Sequence, residues 1–471
     1  MSSLHKLGNG LRRRLQTYPN GRTTGVIEMT LEWLITDTLP AFIESWDNAR
    51  GRAFVGKARM MRHLLCVGLL LLFTAARPRV FGGQAPGVRA STSPGVKTDR
   101  AVYPEPPLPR LPKAGGTFSD PTFGTRIMRV TDEADGRFCN NAYSYWPSFN
   151  QNSTRFFIWC GDKPMLYRFH PDAFKISGKE PLFQKKAPSR YTPRWEDAIW
   201  SGTDPDVLFC HEGLNLWGYN VATRTYRLVK NFAAELPPGH LRQMSRSLDD
   251  NVFAFSLQDP QWKVTGFLAY RRDRDRMVLK QDARQGLDEV QLDKTGRYLV
   301  IKTGMQGKGR IEVRVADLKT GKMEELTDNQ PDFAPGHSDN GRGTIVGADN
   351  WKNRITFRKL STPHQFHSLL DLRSDWSQDY HISMLANREG WALVSFYVGN
   401  NLPSSGVFRN EILLVRIDGS QRVIRLAHHR TVYREYWDSP RANISRDGRF
   451  AVFTSNWGGS NRRDVFILKV P

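Results

Sequence analysis

Three histidines of this 471-residue chain sit in surroundings that could support chemistry. His211 lies in Phe-Cys-His-Glu-Gly (209–213), His337 in Gly-His-Ser-Asp (336–339), and His381 closes Gln-Asp-Tyr-His (378–381). Imidazole titrates near neutrality, so it serves as acid, base or metal ligand. Flat aromatics, amides and a carboxylate recur elsewhere: Trp146, Asp349, Asn350, Trp351, Asn443, Asn456 and Trp457. Aromatic faces beside polar groups suit a sugar ring, which has an apolar face and hydroxyl edges. Arg242 and Arg246 can each grip a carboxylate with two parallel hydrogen bonds. Taken singly, each residue has a structural reading, as packing of an inner layer or as the brace of a loop. The case for a ligand rests on the set, and therefore on a fold that gathers residues far apart in sequence.

The last thirty residues show the unit from which such a fold is built. An apolar run ends at the Asp447-Gly448 turn, a second strand follows at 450–454, and a polar loop leads to a third at 465–470. Asp-Gly between apolar runs signals a hairpin whose central positions favour positive φ. Comparable units recur through the chain, the first with strands at 146–150, 155–159 and 165–169. Seven units spread over the chain from residue 117 give a period of roughly 50, that of the four-stranded blades of a propeller. The last unit lacks a fourth strand, and the lone run 126–131 can supply it by pairing with 465–470. The expected fold is all-β: a seven-bladed propeller over 117–471, closed by an N-terminal strand. In such a ring first strands begin, and second strands end, at one mouth of the channel. That rule puts the histidines and the aromatic and amide residues above on one face.

Length and composition agree with many short strands: 11% aromatic residues, 39 Gly and 27 Pro, with no long amphipathic helix beyond about residue 115. Residues 61–76 read as a basic segment, an apolar core of about ten residues and a small-residue cleavage site. That is the anatomy of a secretory signal, and it is shorter than the ~20 apolar residues a bilayer span needs. Translation from Met60 or Met61 would make residues 1–59 an over-extended gene start, 60–85 the signal and the mature protein secreted or periplasmic, with cleavage after Ala76 or Ala85. The other reading is a cytoplasmic extension with 64–76 as a membrane anchor. Residues 86–116, rich in Pro and Gly, read as a linker. Outside the signal the cysteines are Cys139, Cys160 and Cys210. A Cys139–Cys160 disulfide and free buried thiols are both open.

The net charge is +21, of which +10 lies before residue 114. A basic surface draws in polyanions. Oligouronates and anionic lipid fit that statement, and the export signal argues against nucleic acid. No phosphate-binding Gly-rich loop, paired-Cys zinc motif or nucleophile elbow is present.

The stretch 209–213 at a strand end resembles one in the oligogalacturonate lyases, and the Gln378-x-x-His381 spacing and His337 resemble that family's metal-binding residues. The resemblance implies a seven-bladed propeller that cleaves pectin fragments by β-elimination. It implies a divalent cation, typically Mn²⁺, held by His337, Gln378 and His381. Two features depart from the family: Ser383 stands where a further His is expected, and residues 241–246 lack the family's base. β-Elimination on a uronate needs its carboxylate neutralised, a base for the α-proton and a donor for the leaving oxygen. His211, oriented by Glu212, becomes the expected base, and Arg242 or Arg246 the carboxylate partner. Trp146, Asp349, Asn350, Trp351, Asn443, Asn456 and Trp457 become the expected sugar contacts. The alternative is a non-catalytic propeller that uses the same face to bind a glycan or an envelope protein.

Overall fold

The computed structural model describes residues 12–17, 23–28, 95–184, 196–283, 285–304, 311–327, 335–349, 351–372, 375–399 and 406–471. The chain divides into two units, 1–89 and 90–471. In the first, Arg12–Thr17 pairs antiparallel with Thr23–Glu28. The expected signal segment lies outside the described residues, and among those described no helix is long and apolar enough to cross a membrane.

In the second unit the described strands form seven antiparallel sheets, taken in chain order around the ring. Blade 1 holds Cys139–Asn140, Arg155–Cys160, Lys163–His170 and Lys175–Pro181; blade 2 holds Ala198–Trp200, Val207–Glu212, Asn215–Asn220 and Thr225–Asn231. Blade 3 runs from His240–Arg246 to Arg276–Asp282, blade 4 from Leu287–Leu292 to Met323–Leu326, and blade 5 from Ser338–Asn340 to Phe366–Asp371. Blade 6 runs from Gln378–Ser383 to Val423–His428. Blade 7 joins Asn443–Ile444, Phe450–Ser455 and Asp464–Lys469 to Arg126–Arg129, with Ile467 opposite Met128. Thr117–Ser119 adds a fifth strand outside it.

Burial follows radius. Second strands such as Phe450–Ser455 are buried on both faces, because each is sandwiched between neighbouring blades. Outer strands such as Thr225–Asn231 are mostly exposed or half-buried, and carry Thr, Arg and Lys. Of the Asp447-Gly448 pair only Gly448 takes the left-handed conformation (φ 74°), so the turn needs one positive φ where two were expected. The Ser445 hydroxyl supplies the remaining bracing, accepting from the Phe450 amide at 3.0 Å.

Two segments depart from the sequence reading. The first strand of blade 1 is broken: Cys139–Asn140 pairs with Arg155–Cys160, then the chain leaves the ladder and returns only at the Phe149–Phe156 bridge. The strand expected at 146–150 is therefore mostly a loop, from which Trp146 lines the channel mouth while Phe149 stays in the core. The Pro-rich stretch is strapped to the ring over residues 97–112. Carbonyls of Ala101, Pro106, Pro109 and Pro112 accept from Arg425, Arg430, Trp457 and Arg129 at 2.6–3.1 Å. Proline has no amide to offer a ladder, but its carbonyl remains a good acceptor for buried cations.

Cys139 and Cys160 sit directly opposite each other and are joined by a disulfide, whereas Cys210 is a free, buried thiol. Burial, with the charges of Asp197 and Glu212, pushes that thiol up to about 12.

Candidate functional site

A cavity of about 1220 Å³ opens at the mouth where first strands begin and second strands end. The interrupted strand of blade 1 delivers Tyr143, Tyr145 and Trp146 into it. The Trp146 Nε1–H donates to Met244 O at 2.9 Å, which fixes the indole plane, and the Tyr145 ring lies 4.6 Å from it. Trp437 and Arg463 add to its wall beside them.

Blade 4 contributes an ion pair. Glu289 on the first strand and Lys302 on the second are register partners, and Lys302 Nζ lies 2.6 Å from Glu289 Oε1. The Tyr145 hydroxyl donates to the other Glu289 oxygen, and Lys302 sits 5.1 Å from the Tyr145 ring centre. Burial, and then the Glu289 charge, raise the Tyr145 phenol well above its usual value, so it stays a donor. Arg242 reaches across to Asp288 O at 3.2 Å.

Blades 5 and 6 contribute a second group. His337 Nδ1 lies 3.2 Å from Asp379 Oδ1, and the Tyr397 hydroxyl donates to Asp379 Oδ2 at 2.9 Å. Burial works against protonation of His337, but Asp379 outweighs it and the pKa is raised. Burial would likewise raise Asp379; the hydrogen bond and charge of His337 outweigh it and hold the carboxyl low. The His381 ring stacks on His337 at 4.8 Å and on Tyr397 at 5.3 Å. It is fully buried, and neither of its nitrogens has a hydrogen-bond partner among the described residues. Burial, and then the neighbouring His337 charge, push it well below its ordinary pKa.

Of the expected metal ligands, His337 and His381 are brought together. Gln378 is three residues from His381 on one strand, and alternation sends the two side chains to opposite faces. Its amide nitrogen is spent on Val407 O at 2.9 Å and Asp375 Oδ2 at 3.3 Å. Ser383 lies two residues from His381 on the same face, buried, and its hydroxyl accepts from the Ile444 amide at 3.3 Å. Among the described residues no three His, Cys, Asp or Glu side chains converge closely enough to hold a metal ion. Two stacked imidazoles beside one carboxylate already paired to His337 do not fit Mn²⁺, which favours an oxygen-rich octahedral shell.

The expected base and its orienter, at the end of a second strand, do not line the cavity. His211 is buried between blades 2 and 3, edge-on to Phe255 at 5.8 Å, with Nε2 3.2 Å from Asp197 Oδ1. Its charged neighbour is Asp197, while Glu212, next to it on the strand, points to the opposite face. Arg246 is likewise locked: Nε donates to Trp200 O and Nη1 to Ser247 O, both at 2.7 Å, beside Asp250. Burial lowers its pKa against the pull of Asp250 and Asp249.

The expected sugar contacts scatter. Trp146 lines the cavity. Asn443 is buried, its amide donating to Ala142 O at 3.1 Å, and so holds the blade 1 loop in place. Asn456 braces Val432 from both amide atoms. Trp457 stacks on Phe466 at 5.1 Å under the N-terminal strap. Asp349 is buried and caps the Trp351 and Lys352 amides, with Trp351 45% exposed beyond it. Asn350 lies outside the described residues.

Glu289, Lys302, Tyr397, Trp437 and Arg463 escaped the sequence reading, and Asp379 entered it only as part of the 378–381 stretch. Glu289 and Lys302 were within its reach, since they begin a first strand and end a second one. The cavity wall carries five carboxylates (Asp162, Glu196, Asp288, Glu289, Asp379) against Arg242, Lys302 and Arg463. The chain's positive charge is thus not focused at the mouth, which is no trough for a long polyanion.

Two solved structures share this architecture. An oligogalacturonate lyase in complex with manganese is 12% identical, with a TM-score of 0.55, over 77% of this chain and 98% of that one. An oligogalacturonate lyase from Vibrio parahaemolyticus is 12% identical, with a TM-score of 0.56, over 76% of this chain and 96% of that one. The chain shares its seven-bladed propeller fold with these lyases. At this identity the likeness concerns the fold alone; the lyase activity and the manganese belong to the neighbours. No protein-family profile matches the chain, and no curated protein matches its sequence.

Proposed function

We propose that this chain is an exported propeller that binds short acidic oligosaccharides at the channel mouth and cleaves them by β-elimination. The observation that carries the reading is the cavity in which aromatic rings, Arg242, Lys302 and the His337–Asp379 pair face one space. Aromatic faces take the sugar rings, and the carboxylates accept from hydroxyls. With carboxylates outnumbering the permanent cations on the wall, a short uronate oligomer fits better than a polymer. The disulfide suits an oxidising compartment, in line with the export signal expected at 60–85.

Elimination then assigns each group a part. Arg242 pairs with the carboxylate and makes the adjacent C–H more acidic. His337, held through Nδ1 by Asp379, takes that proton at Nε2. The C–O bond at the neighbouring carbon breaks as the carbon–carbon double bond forms, and Lys302 donates to the leaving oxygen. The four groups belong to this chain, and none requires a metal.

The test is calorimetric titration of the full chain with di-, tri- and tetragalacturonate in the presence of a chelator, alongside an absorbance assay for the unsaturated product. Binding with turnover, and turnover lost in His337→Ala, is the expected result. Binding without product would leave a non-catalytic glycan receptor. No binding to any of the three would overturn the reading.

A further inference from the structure

Tyr145, Trp146 and Glu289 line both the mouth and a smaller cavity of about 60 Å³ deeper in the channel. At about 30 Å³ per water it has room for about two waters, far less than a sugar ring needs. Along blade 4 the order is Glu289, Gln291 and then Lys294 past the strand end, so the wall runs from a carboxylate near the mouth to a cation at the far end. Three cations line the cavity: Arg246, Lys294 and Arg446, from blades 3, 4 and 7. Two of them are matched. Lys294 Nζ lies 2.8 Å from Glu389 Oε1, and Arg246 Nη1 lies 3.2 Å from Asp250 Oδ1. The two wall carboxylates are engaged as well. Glu289 holds Lys302, and Asp339 accepts from the amides of Asn340 and Met384 and from Gln291 Nε2. Arg446 is the exception. It is 5% exposed, and among the described residues no hydrogen bond or ion pair engages its guanidinium. Leu248, Leu292 and Leu385 share the wall with it. A buried charge is costly without a counter-charge, and low-dielectric walls sharpen its field.

We propose that the deep cavity is a site for a small monovalent anion of the size of chloride, held by the Arg446 guanidinium. The site is separate from the oligosaccharide reading of the mouth and stands without it. The guanidinium N–H groups donate to the anion from blade 7. Lys294 spends two of its three N–H groups on Glu389 and Ala386 O and keeps the third. A halide asks for no fixed donor directions, so it suits a wall that sets cations beside leucines. A uronate or a phosphate ester is too large for the space. The bound anion gives the closing blade a link across the channel to blade 4, and so adds to the stability of the ring.

The test measures melting temperatures of the full-length chain as sodium chloride replaces sodium methanesulfonate, a bulkier anion, at constant ionic strength. The wild-type value should rise by about 2 °C for each tenfold increase in chloride above its Kd. Arg446→Met, apolar and of similar length, should lose this dependence and be no less stable than wild type in methanesulfonate. Wild-type crystals soaked in sodium bromide give a second measurement that needs no variant. An anomalous bromide peak within hydrogen-bonding distance of the Arg446 guanidinium is the expected result. Water alone at that position overturns the proposal. So does a wild-type melting temperature that is the same in both salts, or a chloride dependence that survives unchanged in Arg446→Met.

Discussion

His337 and Asp379, from neighbouring blades, meet at 3.2 Å in the wall of the mouth cavity. Asp379 is anchored by the Tyr397 hydroxyl, so the carboxylate fixes which nitrogen of His337 points away from it. An imidazole held this way has one nitrogen committed and one offered to the cavity, as a positioned acid or base requires. Asp379→Asn keeps the shape and removes the charge. Turnover on oligogalacturonates should fall by about 10²-fold, the usual worth of such a group, with binding nearly unchanged. Parallel loss of binding and turnover would show that Asp379 contacts the ligand instead.

Arg242 is half-buried and, among the described residues, hydrogen-bonded only to the carbonyl of Asp288 in the mouth, so it can change partner at small cost. Arg242→Gln should weaken oligogalacturonate binding by about tenfold or more, the worth of a charge-assisted contact, while leaving the melting temperature unchanged. The matching control is the carboxyl-reduced oligomer, whose affinity the substitution should not alter. Equal losses for both ligands would refute the carboxylate assignment.

Lys302 poses the opposite case. Its partner Glu289 is equally buried, so Lys302→Met strands a carboxylate in the channel wall. Breaking a buried pair from one side costs about 3–5 kcal/mol. Denaturant unfolding should show a loss of this order for Lys302→Met and a much smaller one for Glu289→Gln/Lys302→Met. A single variant as stable as wild type would mean that the pair is well solvated.

The disulfide closes a loop with a sequence separation of 21 between blade 1 strands. Cys139→Ser/Cys160→Ser should lower stability by about 3 kcal/mol, from the chain entropy the cross-link removes. The deficit should match the effect of reductant on the wild-type chain. Insensitivity to reductant would argue against the cross-link.

His429 is buried with both nitrogens used: Nε2–H donates to Phe396 O at 2.6 Å, and Nδ1 accepts from the Thr431 amide at 3.0 Å. Only the neutral ring satisfies both, and burial with neighbouring charges pushes it from 6.5 to about 3. Below pH 6.5 the unfolded chain binds a proton that the folded chain refuses, so stability from this group falls as pH drops toward 3. His429→Gln keeps a donor and an acceptor but cannot titrate. The melting temperature of wild type should fall more steeply with acidification than that of the variant, and parallel curves would exclude His429 as the cause.

The sequence determined the ring. Strands of alternating or wholly apolar residues, turn signals and a period near 50 report local burial, and local burial is written in consecutive residues. The unpaired 126–131 run told how the ring closes for the same reason: an edge without a partner is visible as a missing strand. Strand direction also told which loops meet at one mouth of the channel, because in a propeller first strands begin and second strands end there. Tertiary structure decided the partners. Glu289 meets Lys302 through strand register, and His211 meets Asp197 from the turn just before the adjacent strand; neither pairing follows from sequence proximity, which favoured Glu212. The spacing of Gln378 and His381 suggested shared coordination, but two-residue alternation along a strand sets them on opposite faces. The break in blade 1 was hidden as well, since the apolar residues that leave the ladder at 143–146 look like those that stay in it. Burial can be read from side-chain type, whereas a site depends on which atoms face one another across the chain, and only the folded register fixes that.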